Sequence, residues 1–377
     1  MRSRRGASRR RLLISVIATA MISFTLASTA AAAPRPSPTT APEYLVIGAT
    51  GTQAVKVLRA DGGTLTPVSS TTAAAGFSLG LIGHPNRRFI YGSGVASGTI
   101  QGWRISKEGR LVPLPGGLTR PGEPVTGLGI SPDGRYMVAT VGALKTTMVT
   151  YRVSVDGRLT PISRTAQPHA VSPLGHPLFT PDGKHVYVPS FVLNTMDAYA
   201  FSDSGELTHI GATQTTGIAP ALGSITPDGK YLYITNEQSH SISGWRINSD
   251  GTLTSIGAPF VGLMPHGMAI TRDSRHLYSP MTMGMSVGQF RIGGSGTLNS
   301  LGSMQVEPTR PPARVVLSED ESWLYVIDVT SLSTGTAHVT SFRVLPSGRL
   351  ARANRPPIDT GLVFADGDTA FTIIPSG

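Results

Sequence analysis

The chain contains no cysteine. Disulfide staples, thiol nucleophiles and cysteine metal sites are thereby excluded. Stability has to come from a packed core, which 377 residues can supply. Charge is scarce as well: Asp, Glu, Lys and Arg together make up 14% of the residues, whereas Gly (44) and Pro (29) are plentiful. That balance favours frequent turns over long amphipathic helices. The apolar stretch Leu12 to Leu26 is 15 residues, short of the roughly 20 that a membrane-spanning helix needs. No Gly-x-Ser-x-Gly elbow between a strand and a helix, phosphate loop or dinucleotide fingerprint occurs in a fitting context. No His-x-x-x-His pair gives the histidines metal-ligand spacing, so neither a metal nor a cofactor is expected.

The formal net charge is +10, which by itself would suggest nucleic acid or an anionic surface. Its position argues otherwise. Six arginines (Arg2, Arg4, Arg5, Arg9, Arg10 and Arg11) and no acid precede residue 34; without them 26 basic residues face 22 acidic ones. No nucleic-acid partner is expected. Residues 1–33 instead read as a secretory signal: a basic segment to Arg11, the apolar stretch, and small residues from Ala27 to Ala33. Ser8 to Leu13 (SRRRLL) also has the look of a twin-arginine export motif. The Pro-rich segment 34–42 reads as a tether. The expected product is a secreted or cell-envelope monomer with no membrane span once the signal is removed.

From residue 43 onward the sequence repeats. One strand-like segment recurs as YLVIGA at Tyr44, RFIYGS at Arg88, YMVATV at Tyr136, HVYVPS at His185, YLYITN at Tyr231, HLYSPM at His276 and WLYVID at Trp323. The steps are 44, 48, 49, 46, 45 and 47 residues, the period of a four-stranded propeller blade. Tight turns such as SPDGR at Ser131 and TPDGK at Thr180 and Thr226 precede most copies. A third strand follows each copy, then a Gly-containing turn and a short fourth strand, as in VDGRLTPI and SDGTLTSI. The first unit lacks an opening strand, and Gly367 to Pro375 (GDTAFTIIP) looks like an opening strand with nothing after it. The expected fold over 43–377 is therefore all-β: a seven-bladed β-propeller of four-stranded antiparallel blades, its ring closed by the C-terminal strand completing blade one.

Topology then nominates a functional rim. Residues just before each innermost strand and just after each second strand converge on one mouth of the central channel, because the two strands are antiparallel. The positions before the innermost strands hold His176 in blade four, Ala221-Leu222 in blade five, His266 in blade six and Arg314 in blade seven. Second-strand ends add Asn236-Glu237 and Asp328, and His169 lies upstream of His176. Imidazoles, carboxylates and a guanidinium around a funnel can supply a general base and an anion clamp. Each can equally be a strand-end cap. Asp133, Asp182 and Asp228 belong to turns at the opposite mouth and read as structural. Trp103, Trp245 and Trp323 read as blade core, Met281, Met283 and Met285 as packing or a pliable loop, and His84 and Arg87 as solvated surface.

At these residues the chain resembles the lactonase family of seven-bladed propellers, whose relatives include phosphogluconolactonase-like and carboxymuconate-cyclising proteins. It also resembles the wider Tyr-Val-Thr-Asn repeat propellers, echoed by Tyr233-Ile234-Thr235-Asn236. The resemblance implies acid/base roles for His176 and Glu237, with His169 and Asn236 as ligand-binding positions beside them; the rim topology adds His266, Arg314 and Asp328 as further ligand-binding candidates. Where the family has Gly-Pro-Arg-His, this sequence has Ala219-Pro220-Ala221-Leu222; where a further arginine follows in the next blade, it has Met281-Thr282. The implied function is binding of a small polar or anionic ligand, or an extracellular partner, at a channel mouth whose family active site is degenerate. The alternative is an active lactone hydrolase or a muconate-type cyclase.

Overall fold

A computed structural model describes residues 43–49, 54–72, 80–95, 97–142, 145–167, 175–328, 335–363 and, as backbone, 371–375. The leader (1–33), the tether (34–42) and His169 lie outside these residues. Seven antiparallel sheets form the blades of a propeller. Among the described residues, no helix is long and apolar enough to cross a membrane.

Blade one is made as its bookends require. The C-terminal strand Phe371–Pro375 pairs antiparallel with Glu43–Gly48, setting Glu43 opposite Pro375 and Ile47 opposite Phe371. Ala54–Asp61 and Thr64–Thr72 complete the sheet. This arrangement removes the two edges that an open ring would expose. It also leaves blade one without a hairpin between its innermost and second strands. On that face Glu319, in the turn of blade seven, meets Arg272 of blade six at 2.8 Å and Arg87 of blade two at 2.9 Å. Arg87 is exposed, as expected on sequence grounds, and its guanidinium also reaches across the missing turn. The Glu319 backbone N–H also donates to Glu43 Oε1 at 2.6 Å.

The second strands explain the recurring apolar segment. Tyr44 to Gly48, Phe89–Gly94, Tyr136–Val141 and Tyr231–Asn236 are buried along their whole length, because each is covered on both faces by neighbouring blades. An outermost strand such as Leu159–Ala166 contains only half-buried and exposed positions. The core is correspondingly a ring of seams. One apolar cluster joins blades four and five through Tyr187, Met196, Leu232, Ile234 and Trp245; another joins blades five and six through Tyr233, Ile242, Leu277, Met281 and Phe290.

Buried tyrosines latch the seams. The hydroxyls of Tyr91, Tyr187, Tyr233 and Tyr278 donate to the carbonyls of Gly157, Gly251, Gly296 and Gly348 at 2.6–2.9 Å, each in the outer hairpin turn of the following blade. Those glycines have φ between +78° and +85°, conformations that other residues adopt at a cost. Trp103 and Trp245 are core, as expected. Trp323 is half-buried, with its ring laid over Gly63 of blade one.

The Pro-Asp-Gly turns and their variants are scaffold. In five of them a Ser or Thr hydroxyl donates to the Asp two residues on at 2.6 Å and accepts the N–H five residues on at 3.0 Å, as in Thr226, Asp228 and Tyr231. Burial pushes the Asp228 carboxyl up, but hydrogen bonds from Thr226 and Lys230 outweigh it and hold the group below the usual range.

Candidate functional site

The other mouth is irregular where the turn side is regular. Innermost strands in blades three, five and seven carry bulges at their start, between Val125 and Gly127, Pro220 and Gly223, and Pro312 and Arg314. In blades four and six the innermost ladder shrinks to Leu178–Phe179 and Ala269–Ile270. Pro177 has no N–H to contribute to a ladder, and Gly267 has φ +74°. Bulges and broken ladders re-aim side chains, and here they bear on the segments that carry His176, Leu222, His266 and Arg314.

Hydroxyls on one blade fix these segments on the next. Thr140 of blade three donates to the Gly175 carbonyl at 2.6 Å, beside His176. Gly127 and Gly129 pack so closely on the backbone at Gly175 and Pro177 that neither position has room for a Cβ. Thr235, fully buried in blade five, donates to the Leu222 carbonyl at 3.0 Å and accepts the Gly267 N–H at 3.2 Å. Ser279 donates to the Gly267 carbonyl at 2.7 Å, so both peptide groups of Gly267 are held. Thr282 donates to the Pro312 carbonyl at 2.8 Å, two residues before Arg314.

The outcome is one tight contact. His266 Nδ1 lies 3.1 Å from Glu237 Oε1, with the side chains 6% and 11% exposed. Glu237 is anchored through its N–H to the Ala219 carbonyl at 3.0 Å, and His266 through its N–H to the Pro280 carbonyl at 3.0 Å. The Arg314 side chain is close by: a Cβ placed on Gly267 would lie 3.1 Å from Arg314 Nη1 and 3.2 Å from Leu222 Cδ1. Glu237, His266 and the Arg314 side chain therefore gather around the His266-Gly267 peptide. Ala221 and Leu222 are buried beside them at 3% and 7% exposure.

The remaining candidates are placed differently. His176 is half-buried at the seam between blades three and four. Asn236 is fully buried and holds its own loop: its amide donates to Ser241 Oγ at 3.0 Å and Ser243 Oγ at 2.9 Å, while its carbonyl accepts the Gly217 N–H at 3.1 Å. Asp328 accepts the His338 N–H at 2.6 Å and meets Arg310 at 3.4 Å. Burial raises the Asp328 carboxyl above its ordinary range, against the opposing pull of His338 and Arg310. Met281 is buried and Thr282 holds blade seven, whereas Met283 is 61% exposed. Among the described residues, no three His, Asp or Glu side chains gather to hold a metal ion. A cavity of about 510 Å³ lies elsewhere, in the seam between blades five and six near Tyr233, Ile256 and Leu298.

Glu237 and His266, though not Arg314, lie in a stretch that matches a protein family. Residues 175–266 match the family described as Lactonase, 7-bladed beta-propeller. The resemblance is to the lactonase family. The matched stretch runs from the residue before His176 to His266 and includes Asn236-Glu237. No curated protein matches the chain. Among solved structures, a candidate 6-phosphogluconolactonase from Bacteroides fragilis superposes with a TM-score of 0.71 at 16% identity, over 90% of this chain and 99% of that one. The periplasmic gluconolactonase of Pseudomonas aeruginosa gives 0.69 at 16% identity, over 89% and 100%. A functionally unknown protein from Desulfotomaculum acetoxidans gives 0.70 at 15% identity, over 88% and 99%. Likeness at these identities is a likeness of fold. The fold is common to all three, and the chemistry of this mouth rests on its own residues.

Proposed function

We propose that this lactonase-like propeller is exported and acts as a monomer on a small cyclic ester bound at the channel mouth. The observation that carries the reading is the 3.1 Å contact between Glu237 and His266 beside Arg314. In this reaction Glu237 takes a proton from water as the water oxygen attacks the ring carbonyl. Arg314 faces the oxyanion that develops on the carbonyl oxygen. Collapse of the tetrahedral intermediate breaks the ring C–O bond, and the departing alkoxide recovers the proton from Glu237. His266 is a positioning residue that holds the carboxylate, and His176 borders the ligand space from blade four. The test is a hydrolysis panel of γ- and δ-lactones with the purified protein and its Glu237→Gln variant. Turnover in the wild type that drops at least a hundredfold in the variant supports the assignment; equal rates in the two proteins overturn it.

A second reading, binding without turnover, is favoured by one observation. The buried neighbours of the pair in blade five, Ala221 and Leu222, are apolar and bring no second cation to the oxyanion. Saturable lactone binding with no hydrolysis would select this reading. The signal-like composition of residues 1–33 supports export to the cell envelope or the medium, and recovery of the chain in the cytosol with residues 1–33 attached would refute it.

A further inference from the structure

Around Glu237 and His266 the mouth carries an apolar lip. Val192, Leu193, Ile218, Phe260, Leu263 and Met283 are 40–69% exposed. All six lie in the mouth-side loops of blades four, five and six. Large apolar side chains gathered on one exposed surface mark an interaction site more often than chance does.

These loops form a single hydrogen-bonded arc. Asn194 Oδ1 of blade four accepts the Ala219 N–H at 2.8 Å, and Ser239 Oγ accepts the Ile218 N–H at 3.0 Å. His240 Nδ1 accepts the Met264 N–H at 3.0 Å, and its ring meets Phe260 edge-on at 6.4 Å. The Met264 carbonyl accepts the Thr282 N–H at 2.9 Å. The arc is also where strained backbone collects: Asn194, Ala219, His240, Met264 and Met285 have φ between +47° and +57° without being glycine. Such conformations cost free energy and persist where the surroundings over-determine them, commonly at ligand sites.

Charge narrows the choice of ligand. The loop segments 190–195, 215–220, 236–241, 257–268 and 281–286 contain no Lys, Arg or Asp, and Glu237 is their one acid. The one guanidinium at the ring position, Arg314, comes from blade seven, and these loops add no Lys or Arg to hold a second anionic group. The makeup of the arc suits a neutral molecule with one polar end and one apolar end.

We propose that the lip binds the apolar substituent of the ligand, so that this mouth takes neutral lactones bearing an alkyl or acyl chain. The ring sits at Glu237, His266 and Arg314, and the chain lies across Ile218, Phe260 and Met283. The inference rests on the cyclic-ester reading above and adds the substrate class.

The test is calorimetric binding of δ-lactones from δ-valerolactone to δ-dodecanolactone, run on the wild type and on Glu237→Gln protein to remove any hydrolysis. Affinity should rise about twofold for each added methylene, half the free energy that full burial would give. Phe260→Ser and Met283→Ser should flatten that slope and leave δ-valerolactone binding within twofold of wild type; both positions are exposed, and a thermal melt confirms folding. A flat slope in the wild type, an unchanged slope in the variants, or tighter binding of gluconolactone overturns the proposal. So does a flat slope accompanied by Phe260-dependent binding to phosphatidylcholine vesicles or by self-association, either of which would make the lip a docking surface. Chain-dependent binding without turnover would sink the hydrolase and keep the lip. Turnover indifferent to chain length would do the reverse.

Discussion

Glu237 directly follows the second strand of blade five, His266 precedes the innermost strand of blade six, and their side chains meet at 3.1 Å. The first is held within its own blade, whereas the segment carrying the second is also held from blade five. Thr235 of blade five holds the Gly267 N–H, and Ala219 holds the Glu237 N–H, so the pair is set by the seam between blades.

That dependence separates the two residues in kinetics. Glu237→Gln should lower kcat/KM for the best lactone by about 10² to 10⁴, the usual worth of a general base. His266→Gln should cost less, because the carboxylate survives and only its orientation is lost. Steady-state assays with both variants check the order, and a larger loss at His266 would exchange the two roles.

Gly267 carries two constraints at once. Its φ of +74° and the 3.1 Å approach of Arg314 Nη1 both oppose a Cβ. Gly267→Ala should destabilise the protein by about 1–2 kcal/mol and raise the KM of any lactone by displacing Arg314. Urea unfolding and kinetics read the two effects independently.

The tyrosine latches predict a local cost. Tyr233→Phe removes the donor to the Gly296 carbonyl and leaves that acceptor buried, for a loss of about 1–2 kcal/mol. Chemical denaturation should show a lower midpoint at an unchanged slope. A neutral substitution would mean that the seams are held by apolar burial alone.

Glu43 makes stability depend on pH. Burial pushes its carboxyl up to about 7, opposed by the Glu319 N–H and assisted by the charges of Asp320 and Glu319. The folded state therefore holds a proton that the unfolded chain has released, and stability falls as pH rises from about 4.5 to about 7. Glu43→Gln should remove that slope and raise stability above pH 7 by about 1–2 kcal/mol, after discounting for screening. Melting temperatures from pH 4 to 8 check it. A wild-type curve that rises steadily through this range would contradict the buried, protonated Glu43.

Much of this was readable from residue order. The recurring YLYITN-type segment is a run of mainly apolar and aromatic residues rather than an alternating one because blades cover both faces, and that property is visible in one dimension. The Gly of each outer turn and the unmatched C-terminal strand were readable for the same reason: each follows from local backbone needs. Arg87 shows the limit. It is the exposed turn residue it looks like, but its partner Glu319 is reached only because blade one lacks a hairpin there.

The candidate site divides along the same line. Seven copies at a near-constant period, with a strand missing at one end and supplied at the other, determined a closed seven-bladed ring, because hydrogen-bonded sheets do not leave edges open where closure is available. The rim positions of Glu237, His266 and Arg314 followed from strand direction. Tertiary structure alone decided that Glu237 meets His266, that Asn236 turns inward to hold its own loop, and that the loops carrying six exposed apolar side chains are hydrogen-bonded to one another. Those facts depend on bulges, broken ladders and hydroxyl clamps between blades. They arise from residues far apart in the chain, and no local pattern encodes the distance between them.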